Sequence, residues 1–241
     1  TVSTNVGLNT NTSSYVAWNW KANGSGSSNT DGDVTSTVSA NVDSGFSIVT
    51  YTGNGNNIDV GHGLSKAPDI VMVKERSGGG WYMNVKNLPT QAGGTDMVAV
   101  WDTTSAVDGY NVGQWYFGSY APTSSVFKVE NKDNVGANGD HHIAYCFHSV
   151  EGYSKFFTFV GNGNADGTFV YCGFRPALVI IKNTNNSGEG FVIFNKESDP
   201  FNVIGTYLTV YDNSAEQGTA GTAHSRSLDF LSNGFKLRGN S

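Results

Sequence analysis

The sequence predicts an all-β fold of two tandem β-sandwich modules, jelly-roll or lectin-like, related by an internal repeat, and three observations predict it. The first is self-similarity. Thr52-Gly53-Asn54-Gly55 returns as Val160-Gly161-Asn162-Gly163, and the match runs on at an offset of about 108 residues. The second is composition. Charged residues are 14% against a typical value of about 25%, aromatics reach 12%, and Gly, Asn, Ser and Thr are abundant. The third is punctuation, since Gly-Asn-Gly, Asn-Gly and Asp-Gly recur between short alternating runs, where hairpins need positive φ.

Taken in order, residues 1–44 read as the end of a preceding unit plus a linker. Val16-Ala17-Trp18-Asn19-Trp20-Lys21 resembles Ile143-Ala144-Tyr145-Cys146-Phe147-His148, and both alternate as strands do. Period two sets Val16, Trp18, Trp20, Ile143, Tyr145 and Phe147 toward the core, with Lys21 and His148 opposite. Residues 23–33 carry no large apolar side chain and no Pro, which describes a flexible linker or long surface loop.

The first repeat, 45–152, offers strands near 46–52, 69–75, 81–86, 97–101, 125–130 and 141–148. The second, 153–241, offers 155–160, 177–182, 190–195, 206–211 and 234–238 and lacks its own closing strand. The apolar runs at 70–73 and 178–181 read as central strands, each introduced by a Pro, Pro68 or Pro176, that has no N–H for the ladder. Trp81 matches Phe191 and Trp101 matches Tyr211, four residues expected in equivalent cores. No helix is predicted; Ser214 to Gln217 amounts to one turn at most.

Several functions lack support. A net charge of −6 without a Lys/Arg cluster near the aromatics argues against nucleic acid. No apolar stretch approaches membrane-spanning length. His141, His142 and His148 lie near Cys146 and Asp140, but adjacent strand residues face opposite ways, so solvent-facing or turn histidines are expected rather than a metal centre. Cys146 and Cys172 read as reduced, semi-buried thiols, with a bridge as the alternative. Asp31-Gly32-Asp33 and Asn164-Ala165-Asp166-Gly167 are too short for calcium loops and read as turns. No nucleophile elbow or zinc-protease helix occurs, so no catalytic residue, cofactor or enzymatic activity is expected.

One stretch differs between the copies. Tyr110, Gln114, Trp115 and Tyr116 belong to an aromatic run at 110–120 that has no counterpart near 218–227. Such rings beside amides suit a sugar or a partner protein, and packing on the core or a neighbouring subunit is the competing reading.

The strings Tyr15–Ala22, Gly45–Gly53, Ala144–Phe147 with Val150–Lys155, Gly173–Ala177 and Asp229–Leu237 resemble a repeated domain of uncharacterised function from tail and tail-fibre proteins of marine, cyanophage-like bacteriophages. The resemblance covers nearly the whole chain and carries no catalytic residues. It implies a structural or adhesion component of a virion appendage, assembled in the host cytoplasm and displayed outside the cell. By the same resemblance its partners are other copies of itself, as a trimer, other tail proteins, and a host-surface glycan or protein. A non-binding spacer or virion-attachment module is the alternative it leaves open, with a glycan-degrading enzyme more distant.

Overall fold

The computed structural model describes residues 10–86, 98–105, 116–118, 121–212 and 214–239. These residues form sixteen strands and no helix, so none has a helix long and apolar enough to cross a membrane. In chain order the first nine strands are β1 Ser27–Asn29, β2 Ser36–Asn41, β3 Phe46–Thr52, β4 Ile58–Gly61, β5 Ile70–Glu75, β6 Trp81–Val85, β7 Val98–Val100, β8 Val126–Val129 and β9 His141–Phe147. The remainder are β10 Phe169–Tyr171, β11 Leu178–Ile181, β12 Val192–Asn195, β13 Thr206–Thr209, β14 Gln217–Gly218, β15 Leu228–Leu231 and β16 Gly234–Leu237. All ladders between them are antiparallel.

A seven-stranded sheet runs β1-β2-β3-β9-β5-β6-β7 and shares one core with the β4–β8 pair. Val49, Tyr51, Val71, Val73, Ala144 and Cys146 come from the large sheet, and Ile58, Val60, Phe127 and Val129 from the pair. Each of these valines, buried fully, contributes about 1.5–3 kcal/mol. The second set comprises a β10-β16-β15 sheet and a β11-β12-β13-β14 sheet, whose inner residues Val170, Val179, Phe194, Leu228, Phe230 and Phe235 form another core.

The linker expected over 23–33 is partly strand. Val38 packs into the core and Ser36 Oγ donates to the Gly61 carbonyl, so β1 and β2 extend the sheet beside β3 although most of their residues are small and polar. Asp31-Gly32-Asp33 is a tight turn over β4. A Cβ at Gly32 would run into the Asp59 carbonyl, and Asp33 Oδ2 accepts the Asp59 N–H at 2.8 Å.

The closing strand faces the other way from expectation. His142, Ala144 and Cys146 are buried in β9, whereas Ile143, Tyr145 and Phe147 sit half-buried on the outer face. Small Ala144 and Cys146 leave room for Phe127 and Tyr51 inside, so the large rings line up outside. There Phe46 stacks on Phe147 (4.8 Å), Trp81 on Tyr145 (5.9 Å), and Trp20 meets Phe147 edge-on (6.2 Å).

Two expected strands do not form, 16–21 and 155–160. Phe157 and Phe159 pack on the second core, yet 155–160 has no ladder partner among the described residues. Of the four aromatics expected in equivalent cores, Phe191 and Trp101 instead join the two sets, while Trp81 is half-buried on Tyr145 and Tyr211 half-buried against Gly190. Phe191 packs with Met83, Ala99 and Trp101, its ring 4.7 Å from that of Trp101, and Gly188 N–H donates to the Thr104 carbonyl.

Candidate functional site on the outer face of the β10-β16-β15 sheet

The aromatic run at 110–120 divides. Tyr110, Gln114 and Trp115 lie outside the described residues. Tyr116 turns inward, 5% exposed, with its ring 4.3 Å from Tyr82 and its carbonyl accepting the Glu130 N–H. Tyr116 and its neighbour Phe117 are therefore packing residues, because their side chains complete the first core.

A different aromatic pair is open. On β10, Val170 points into the second core, so period two sends Phe169 and Tyr171 outward, 42% and 59% exposed. Ladder pairing sets Phe169 beside Lys236 and Tyr171 beside Gly234. Gly234 has no side chain to lift the neighbouring ring, and a Cβ there would meet the Phe169 ring at 3.2 Å. Lys155 Nζ lies 5.0 Å from the centre of the Tyr171 ring and donates to the Tyr171 carbonyl, which holds the tyrosine against the sheet.

Charged groups flank these rings on the same face. Lys236 reaches Asp166 at 2.9 Å, and Arg238 grips Asp229 through both Nε and Nη2 at 2.6 Å. The two lysine and arginine charges hold the Asp166 carboxyl below its usual range, the Lys236 hydrogen bond being the main cause. Asp229 is almost wholly buried, and its Oδ1 has no hydrogen-bond partner. Flat rings beside a row of fixed acceptors and donors can stack on an apolar C–H face while bonding hydroxyl groups.

The ladders show where the pair differs from its surroundings: Val60 pairs with Phe127 and Val170 with Phe235, but Val60 is flanked by Asp59 and Gly61 and Val170 by Phe169 and Tyr171. The 110–120 stretch drew attention by density, whereas this difference emerges only once β4 and β10 are recognised as strands.

The histidines are more enclosed than expected. His62 and His142 are fully buried and His148 nearly so, while His141 is exposed. His142 stacks on Tyr51 at 5.1 Å, its ring nitrogens near the backbone of Asp140 and Asp133 without a well-formed hydrogen bond among the described residues, and burial lowers its pKa. His62 is also lowered by burial but is bonded on both sides, by the Leu64 N–H and to the Thr123 carbonyl. Cys146 and Cys172 are both free, and burial pushes the Cys146 thiol up to about 12. No group of three or more His, Cys, Asp or Glu residues among the described residues could hold a metal ion.

The family model described as Domain of unknown function (DUF7483) matches residues 1–241. The chain belongs to that family. No curated protein and no solved structure matches it. Membership thus unites both sheet sets and the N-terminal segment in one family unit, and it assigns no chemistry to Phe169, Tyr171 or the charged row beside them.

Proposed function

We propose that this chain is a non-catalytic structural and adhesion component of a bacteriophage tail fibre or related virion appendage, built from two tandem β-sandwich modules. The duplicated pairing supports the modular reading. The meander β5-β6-β7 has its counterpart in β11-β12-β13, and β4–β8 in β10–β16. The bond from Trp101 N–H to the Trp81 carbonyl likewise has a near match from Val210 to Phe191. The observation that carries the contact role is the exposed Phe169–Tyr171 pair, which the second copy alone possesses, set beside the Asp166, Lys236, Asp229 and Arg238 row. Its ligand is a glycan or a protein of the host surface.

The phage assignment rests on the sequence resemblance, as do homotrimerisation and attachment to other tail proteins. A second reading, a spacer or virion-attachment module, gains weight from Tyr116 and Phe117, since part of the copy-specific aromatic run serves packing. The two separate in one experiment. Fluorescently labelled chain is added to marine cyanobacterial and other marine bacterial cells, and saturable binding that competes with phage adsorption is expected; a chain that binds no cell yet is found in purified virions would establish the spacer.

A further inference from the structure

The Phe169–Tyr171 face is small, and its size bears on what it can hold. Period two along the three strands turns two rows of side chains outward. One row runs Phe169, Lys236, Asp229 and the other Tyr171, Gly234, Leu231, each in register across β10, β16 and β15. With strands about 4.8 Å apart and three or four residues of about 3.4 Å in each, the face is roughly 10–14 Å on a side, on the order of 100–200 Å². The turns that bound it, 161–166 and 232–233, are exposed and carry no large apolar side chain. A stable protein–protein interface takes about 800 Å² from each partner. A face of this size suits a short saccharide instead.

The cations of this face are already engaged. Lys236 meets Asp166 at 2.9 Å, while Arg238 pairs with Asp229 at 2.6 Å and reaches Asp166 at 3.6 Å. Two carboxylates thus offset two cations. Lys155 donates to the Tyr171 carbonyl and lies 5.0 Å and 5.3 Å from the ring centres of Tyr171 and Phe157. Arg175 lines a separate groove with Pro176, Lys196 and Pro200, which includes no residue of the face. A carboxylated, sulfated or phosphorylated ligand would therefore have to break an existing ion pair to find a positive charge. The hydroxyls of an uncharged sugar need not, because the Asp166 carboxylate, 78% exposed, keeps acceptor positions open beside Lys236.

We infer that the ligand of this face is an uncharged saccharide, stacked by its C–H surface on Phe169 and Tyr171, and that Asp166 sets this preference by neutralising Lys236 and Arg238. The inference rests on the adhesion reading above, whose choice of glycan or protein it narrows to a neutral glycan. Both rings are held in advance of binding. Phe169 leans over Gly234, where a Cβ would meet its ring at 3.2 Å, and Lys155 bonds the backbone of Tyr171 while lying against its ring. Rings fixed in this way lose little rotamer freedom when a sugar settles on them.

The test uses the full chain, fluorescently labelled, on marine cyanobacterial and other marine bacterial cells treated with protease or with periodate and then fixed. Binding is expected to survive protease and to be lost after periodate, which cleaves the vicinal diols of sugars. Raising NaCl from about 0.05 M to about 0.5 M is expected to change the dissociation constant by less than about twofold, since no opposite charges are brought together. Dextran sulfate is expected not to compete. Asp166→Asn, a change at an exposed side chain, is expected to leave the circular-dichroism spectrum unchanged and to give the chain affinity for dextran sulfate, because Lys236 is then unpaired. Binding lost to protease but not to periodate, a fall of about tenfold or more across that salt range, competition by dextran sulfate, or an Asp166→Asn chain that gains no affinity for it would each overturn the inference. A labelled chain that binds no cell, or that binds as well without the Phe169 and Tyr171 rings, would instead overturn the adhesion reading itself.

Discussion

At the scale of single residues, two buried polar groups set conditions on stability. His142 and His62 have pKa values lowered by burial, so the folded chain holds them neutral while the unfolded chain takes up protons below a pH of about 6.5. The unfolded state then binds more protons, and stability falls as pH drops from about 6.5 toward the lower folded pKa values; above that window these groups contribute no slope. His142→Phe keeps the ring on Tyr51 and removes two buried nitrogens that make no well-formed hydrogen bond among the described residues. It is expected to raise unfolding free energy by about 1–3 kcal/mol and to flatten the acid limb, read by urea denaturation at two pH values. Arg238→Ala leaves the Asp229 carboxylate buried without its bidentate partner. The cost is expected near 2 kcal/mol, below the roughly 3–5 kcal/mol of a wholly buried pair because the arginine is one-third exposed.

At the scale of elements, β5 is the central strand its apolar run predicts, between β9 and β6, whereas the matching run 178–181 forms β11 at the edge of its sheet. Val71 is 1% exposed and packed among residues of both sheets. Val71→Asp is expected to abolish cooperative folding of the first strand set, seen as loss of amide-exchange protection in β3, β5 and β9, while β15 and β16 keep theirs. Strands marked by apolar alternation or by a continuous apolar run were legible from sequence within a residue or two, β3 and β16 by the first and β5 and β11 by the second. β1 and β2 were not, because Ser, Thr and Asn in them are held by pairing with β3 and by side-chain bonds such as Ser36 to Gly61, which no local pattern announces. The facing of β9 was inverted for a similar reason. Size marked Tyr145 and Phe147 as core, but both sheet faces are partly covered and the inner one takes Ala144 and Cys146. Segment 155–160 has strand-like residues and lacks the neighbours a ladder needs. Of the candidate site, Tyr171 and Phe169 became visible only through register against β4, whereas Tyr116 was visible for its density and proved to be packing.

At the scale of the whole molecule, the two strand sets meet through Phe191, Met83, Ala99 and Trp101. Phe191→Ala is expected to cost about 3–5 kcal/mol and to split a single calorimetric transition into two, since the lost contacts lie between the sets as well as within the second. The same arrangement leaves the β10-β16-β15 face pointing its rings into solvent, where the proposed contact with a host surface would form. Phe169→Ala combined with Tyr171→Ala tests it most directly, because both side chains are exposed and their removal is expected to leave thermal unfolding within a degree or two of the parent. Binding of labelled chain to host cells, measured as an equilibrium isotherm, is expected to weaken by about 5- to 30-fold, the equivalent of about 1–2 kcal/mol; an isotherm superimposable on that of the parent chain would contradict the claim.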